Sequence, residues 1–404
     1  MLRIWIVALV TVVGPFTDDW PQWRGPARDG RALLPPRSGF PAELSPAWKV
    51  PVGEGHASPV AVRGRVYVFA REGEEEVVHA LDLATGKRAW RQSYPAPYEM
   101  NPAARGHGKG PKSTPAWANG RLFTFGIGGI LSSFDAATGR LAWRKEFGSQ
   151  YGEASPIYGV AQSPAFDRGN LIVHVGGPGR GALTAFDAAT GAVRWAWKGD
   201  GPAYASPVVA DIGGTRQVVT FTETLLVGVS AATGELLWKI PFKTPWDQNA
   251  VTPVVAGDTV VYGGLDHPVR AVRVVRRGSA WAAEPQWENA EVGTYMSTPV
   301  LEGGRLYGFS NRKRGQLFCL DAASGKTVWL SDGRQGDNAA LVAGGGVVYA
   351  LPTDAQLVVM PQKGEAFAPL RRYRVAESPT WAHPVVTTEG VLVKDRDTVA
   401  YLRF

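Results

Sequence analysis

The chain has 404 residues, 45% of them hydrophobic and 20% charged, which is enough apolar side chain for a sizeable core and excludes a disordered chain. Its 49 Gly and 30 Pro argue against a helical bundle, because both residues are poor in helix interiors. The single Cys, Cys319, excludes an intrachain disulfide and any cysteine-built zinc or iron–sulfur centre, and a net charge of +7 over this length is too mild to point to nucleic acid.

Arg3 is followed by an uncharged, mostly apolar run from Ile4 to Val13. Ten helical residues reach about 15 Å, roughly half a bilayer core, so no membrane span is expected. A positive residue before a short apolar stretch is the secretory pattern. Residues 1–17 are therefore expected to be an export signal, and the protein to be periplasmic or secreted. Gly14-Pro15-Phe16-Thr17 does not fix the cut, and no Cys near residue 20 is present to carry a lipid. Residues 18–43 form a lead segment before the first repeat.

From residue 44 one phrase recurs: a small residue and Pro, two apolar strands around a Gly turn, then D-x-A-T-G and a Trp. An unpaired first strand, residues 44–52, carries Trp48. Full copies follow at Asp82-Leu83-Ala84-Thr85-Gly86 with Trp90, Asp135-Ala136-Ala137-Thr138-Gly139 with Trp143, and Asp187-Ala188-Ala189-Thr190-Gly191 with Trp195. Ser230-Ala231-Ala232-Thr233-Gly234 with Trp238 has lost the Asp, Trp287 closes a copy whose turn has diverged, and Asp321-Ala322-Ala323-Ser324-Gly325 ends at Trp329. Tyr373 closes the next copy, and residues 384–402 supply three last strands.

The closing aromatics stand 42 to 53 residues apart, and four short strands at that period make a propeller blade. In each turn the Asp carboxylate can accept from nearby backbone N–H groups, and Gly takes φ > 0. The Trp fills the wedge between neighbouring blades. Joining the first strand to the last three makes one blade, so the fold class expected is all-β, an eight-bladed β-propeller over residues 44–404 latched by its N-terminal strand. Seven blades is the alternative if residues 344–373, which lack the Pro and the T-G turn, are not a true blade.

The innermost strands offer a candidate site. The upstream Pro recurs at Pro59, Pro115, Pro164, Pro207, Pro253, Pro299 and Pro384, and three or four residues before it, or in the corresponding place, the ring is read as His56, Lys112, Tyr204, Asn249, Tyr295, Asn338 and Trp381. Such positions face the top of a propeller's channel, and a ring of one cation, amides and aromatics suits a polar small molecule or a protein segment; a water-filled pore mouth is the plainer reading. The loop over residues 94–112 is too long for an ordinary connection. Its Arg105-Gly106-His107-Gly108-Lys109-Gly110-Pro111-Lys112 reads as a lid over the channel, with an anion nest as the sharper alternative. Any ligand or partner is thus expected on this face, near His107 and Lys112. The rival surface is the basic run Arg270-Ala271-Val272-Arg273-Val274-Val275-Arg276-Arg277, whose alternation reads as a solvated strand face. The six His show no close metal-ligand spacing and no G-x-S-x-G elbow is present. A monomer is expected.

These repeats resemble the pyrroloquinoline-quinone-like repeat, with its A-x-D-x-x-T-G-x-x-x-W signature, over about residues 40–404. Asp19-Trp20-Pro21-Gln22-Trp23-Arg24-Gly25-Pro26 with Arg28-Asp29-Gly30 is similar to the lead of an exported branch of that family. The resemblance implies one of two functions: a quinoprotein dehydrogenase using quinone and Ca²⁺, or a non-catalytic scaffold similar to the outer-membrane assembly factor BamB. The dehydrogenases' adjacent cysteine pair is absent, and Asp247 with Asn249 and Asp337 with Asn338 read as turn formers. The expectation is therefore a binding scaffold without a cofactor or metal.

Overall fold

The computed structural model describes residues 18–37 and 39–404, so the export signal read in residues 1–17 lies outside the described residues. The strands pair into eight four-stranded antiparallel sheets, which stand in a ring as the blades of a propeller. Blade 1 comprises Val60–Val62, Arg65–Glu72, Glu75–Asp82 and Arg88–Pro95, innermost strand first. Blades 2 to 7 repeat this order, their innermost strands being Ala116–Ala118, Ala165–Asp167, Val208–Ile212, Val254–Ala256, Val300–Glu302 and Ala339–Gly344. Blade 8 takes Val385–Val386, Gly390–Lys394 and Thr398–Arg403 from the end of the chain and Ser45–Pro51 from its beginning, with Trp48 opposite Tyr401. Residues 339–374 form a complete blade with Tyr373 on the outer strand Arg371–Arg374, so the ring has eight blades and not seven.

The repeated turn works through its side chains. Asp135 Oδ1 accepts from the Thr138 backbone N–H (2.9 Å) and hydroxyl (2.7 Å), while Gly139 takes φ 76°. The outer-strand Trp then clasps the following blade: Trp90 Nε1 donates to Ala136 O (3.1 Å), Trp143 to Ala188 O (3.1 Å) and Trp195 to Ala231 O (3.0 Å). Each indole fills the inter-blade wedge, where burial of a large aromatic is most favourable. Trp238 departs from the pattern and donates to Gln217 in its own blade (2.7 Å), because blade 5 replaces the turn with a long hairpin, His267–Arg277 and Ala280–Asn289. The basic run on that hairpin is a largely solvated face, with Arg270 paired to Glu288 and Arg277 to Glu284. Cys319 is buried between blades 6 and 7 beside Tyr307, and burial pushes its thiol up to about 12, as suits an inert core thiol.

Candidate functional site

The lead segment enters the channel. Trp20 pairs with Ala61 of blade 1, Pro21 O accepts from Trp117 N of blade 2, and beyond the centre Gly30 and Ala32 pair with Ala343 of blade 7. Between these anchors two arginines reach into the ring. Arg24 donates to Thr298 O (3.1 Å) and Pro299 O (2.6 Å) of blade 6. Arg28 donates to Ser163 O (3.0 Å) and Pro164 O (2.7 Å) of blade 3 and to Pro207 O (3.0 Å) of blade 4. Both are buried. Burial lowers both guanidinium pKa values, Arg24 to about 10 and Arg28 to about 9. Trp23 lies over them, its ring 5.5 Å from the Arg24 guanidinium carbon and 5.9 Å from that of Arg28. The lead therefore plugs one end of the channel, and Trp23 becomes the floor of a pocket of about 530 Å³ open at the other end.

Above the floor runs a belt of hydroxyls. The backbone N–H of each innermost connection donates to the Ser or Thr of the next blade: His383 to Ser58 (2.8 Å), Ser58 to Thr114 (3.1 Å), Thr114 to Ser163 (2.9 Å), Ser163 to Ser206 (2.9 Å), Ser206 to Thr252 (3.0 Å) and Thr252 to Thr298 (3.1 Å). Blade 7 has Ala340 at this position, and the link reverses, Ala339 N donating to Ser297 Oγ (3.0 Å). These bonds satisfy the backbone where blades converge and hold the channel walls in register.

The next layer holds the ring read from the sequence. His56, Lys112, Tyr204, Tyr295, Asn338 and Trp381 all line the pocket, as does His107. Asn249 does not. Its side chain is buried in the wall, donating to Thr222 O (2.8 Å) and Phe242 O (3.0 Å) and accepting from Thr244 N (3.2 Å). Successive residues of an extended chain point to opposite sides, so Gln248 and Ala250 face the pocket in its place. Blade 3, which the Pro alignment left without a member, contributes Tyr158. Trp23, Trp246 and His383 also line the pocket and were missed. Trp23 and His383 approach edge to face, ring centroids 5.4 Å apart.

Residues of the long loop, Ala103, Ala104, His107 and Lys112, line part of the pocket. A 3₁₀ turn, Pro102–His107, is capped by the Asn101 side chain, which accepts from Ala103 N (2.9 Å). It brings His107 to Trp381 (4.7 Å between ring centroids) and to His56 (6.0 Å). The loop glycines serve close packing: a Cβ on Gly110 would stand 2.4 Å from Glu54 O. Lys109 pairs with Glu74 (3.6 Å).

The electrostatics of the pocket are one-sided. Lys112 Nζ donates to Tyr158 O (2.8 Å), and burial draws the ammonium down to about 8. Burial first, then the charge of Lys394, His107 and Lys112, lowers His56 to about 3, so it is neutral at pH 7. Burial pushes Tyr204 and Tyr295 up, keeping both as phenols; Tyr295 donates to Gln248 Oε1 (2.5 Å). Among the described residues no carboxylate or thiol lines the pocket. Asp247, at the mouth, is ion-paired with Lys243 (2.8 Å). Among the described residues no three His, Cys, Asp or Glu side chains converge to hold a metal ion.

The family model described as "Outer membrane protein assembly factor BamB" matches residues 74–331. The assembly factor BamB of Yersinia pestis is 23% identical over 258 residues, covering 62% of this chain and 63% of that protein. Quinohemoprotein alcohol dehydrogenase of Comamonas testosteroni is 32% identical over 145 residues, which is 35% of this chain and only 19% of the dehydrogenase. The crystal structure of that dehydrogenase superposes with a TM-score of 0.67 at 16% identity, covering 97% of this chain and 81% of the other. BamB from Moraxella catarrhalis superposes with a TM-score of 0.63 at 14% identity, covering 90% and 98%. A Ca²⁺ ion, which the dehydrogenase branch implies, does not fit the donor set here: it takes several oxygen ligands, carboxylates foremost, and among the described residues the pocket lining presents no carboxylate.

Proposed function

The chain belongs to the family of the outer membrane protein assembly factor BamB, and from that membership we propose that it is an exported, non-catalytic propeller that binds its ligand or partner in the channel pocket. The observation that carries this reading is the pocket itself: about 530 Å³, blind at one end, and lined by aromatics, amides and hydroxyls around a single lysine. That volume lies in the range of ligand sites, about 300–1,000 Å³. The lining offers ring faces and hydrogen-bonding groups for recognition, and no carboxylate among the described residues. Export, to the periplasm or beyond, rests on the Arg3 and Ile4–Val13 pattern, and a monomer suits a ring whose edges are closed.

The test is a dye-linked oxidation assay with alcohols and sugars after incubation of the full chain with pyrroloquinoline quinone and Ca²⁺. No turnover above the protein-free control is expected. Quinone-dependent turnover abolished by Lys112→Gln would overturn the reading in favour of a dehydrogenase.

A further inference from the structure

We propose that the channel pocket receives the C-terminal end of a partner polypeptide, with the terminal carboxylate at Lys112 and the last side chains among the aromatic walls. This rests on the binding-propeller reading and names the occupant.

Shape comes first. Because Trp23 and the two arginines beneath it close the far end of the channel, a chain has no route through and an end must go in. Charge then selects which end. Lys112 lines the pocket, and Lys394 lies buried behind His56, donating to Gly55 O (2.6 Å), its charge offset in part by Asp395, Asp397 and Glu54. Arg24 and Arg28 lie under the floor. Asp29 offsets part of the Arg24 charge, yet among the described residues neither arginine makes an ion pair. An interior of this sign repels the ammonium of an N-terminus and attracts a terminal carboxylate.

The rim indicates a polymer. Trp246, 73% exposed and held at φ 62°, lines the mouth, and Ile157, 37% exposed, adjoins the lining residue Tyr158. A small acid seated inside leaves both in water, whereas a chain emerging from the pocket covers them. Exposed Trp side chains of this kind are the usual anchors of protein interfaces, and capture of a terminal carboxylate is a recurring mode of peptide recognition.

The experiment selects random hexapeptides displayed with free C-termini against the immobilised full chain, beside a second library displayed with free N-termini. Enrichment is expected in the first library only. A selected peptide, synthesised as acid and as amide, should lose about tenfold or more of its affinity on amidation, the worth of one charged hydrogen bond. Lys112→Gln should impose the same loss, Lys112→Arg should retain binding, and Trp246→Ala should weaken it. Failure of the free-C-terminal library to enrich, or equal binding of acid and amide, overturns the proposal. So does 3-phenylpropanoate competing as tightly as the peptide with Trp246→Ala indifferent; that outcome makes the pocket a small-molecule site and leaves the binding-propeller reading standing. Quinone-dependent turnover in the separate oxidation assay would instead remove that reading.

Discussion

The indole of Trp195, on the outer strand of blade 3, lies against Gly234 in the turn of blade 4: a Cβ added to Gly234 would stand 2.6 Å from the ring. Trp195 Nε1 closes the clasp on Ala231 O at 3.0 Å. The T-G and the W that recur together along the chain thus do not meet within one copy. Where the next copy carries the T-G turn, the Trp meets its glycine, as Trp90 does at Gly139 and Trp143 at Gly191. The repeat is a series of joints between blades, and the close approach explains why the turn position excludes a side chain.

Trp195→Ala should therefore destabilise the protein by about 3–5 kcal/mol, the usual cost of truncating a large buried aromatic. Gly234→Ala should also destabilise it, because the position combines φ 74° with the indole contact. In urea denaturation the double variant should lose less than the sum of the two, since both changes break one joint. Midpoints equal to that of the parent would show that the clasp does not hold the blades.

Arg28→Ala should be costly although it removes no ion pair, because it leaves the carbonyls of Ser163, Pro164 and Pro207 without their donor. A loss of about 3 kcal/mol or more is expected from charged hydrogen bonds broken in a buried site. The lead should detach before the ring unfolds. Limited proteolysis should cut within residues 18–37 of the variant under conditions that leave the parent intact.

His174 makes stability depend on pH. It is buried, its Nε2 meets Asp200 O at 3.0 Å, and burial lowers its pKa from 6.5 to about 4. With the folded value depressed, the unfolded state binds the proton first. The stability His174 contributes is present above pH 6.5 and is lost as pH falls towards 4, at up to about 1.4 kcal/mol per unit. Glu76, pushed up by burial, acts in the opposite sense, so the comparison is by difference. His174→Gln should show a shallower decline in denaturation free energy between pH 6.5 and 4.5 than the parent, and parallel profiles would refute the assignment.

Replacing residues 45–51 with a flexible Gly/Ser linker should expose the edge of Thr398–Arg403, which pairs with Ser45–Pro51 in the closed ring. An unpaired strand edge recruits other chains. Size-exclusion chromatography should then show concentration-dependent oligomers, against a single monomeric peak for the parent.

The sequence by itself determined the repeated blades and the latch, because each depends on local chemistry: Asp and Thr closing a hairpin, Gly at positive φ, and an apolar strand period that repeats. It left eight blades against seven to residues 344–373, which lack the Pro and the T-G turn, and their pairing into a full blade decided for eight. The sequence also placed most of the channel ring, since a fixed offset from the recurrent Pro carries a side chain to the same height in successive blades. That logic failed at Asn249, where a shift of one residue turned the side chain into the wall. The role of the lead was decided only by the tertiary structure. Trp23, Arg24 and Arg28 have no periodicity, and their partners lie far along the chain; Arg24 reaches Pro299 across 275 positions. Nothing local in Gln22-Trp23-Arg24 marks a plug. It becomes one because the closed ring points unpaired carbonyls at its own axis, and a guanidinium supplies enough donors to satisfy carbonyls from more than one blade.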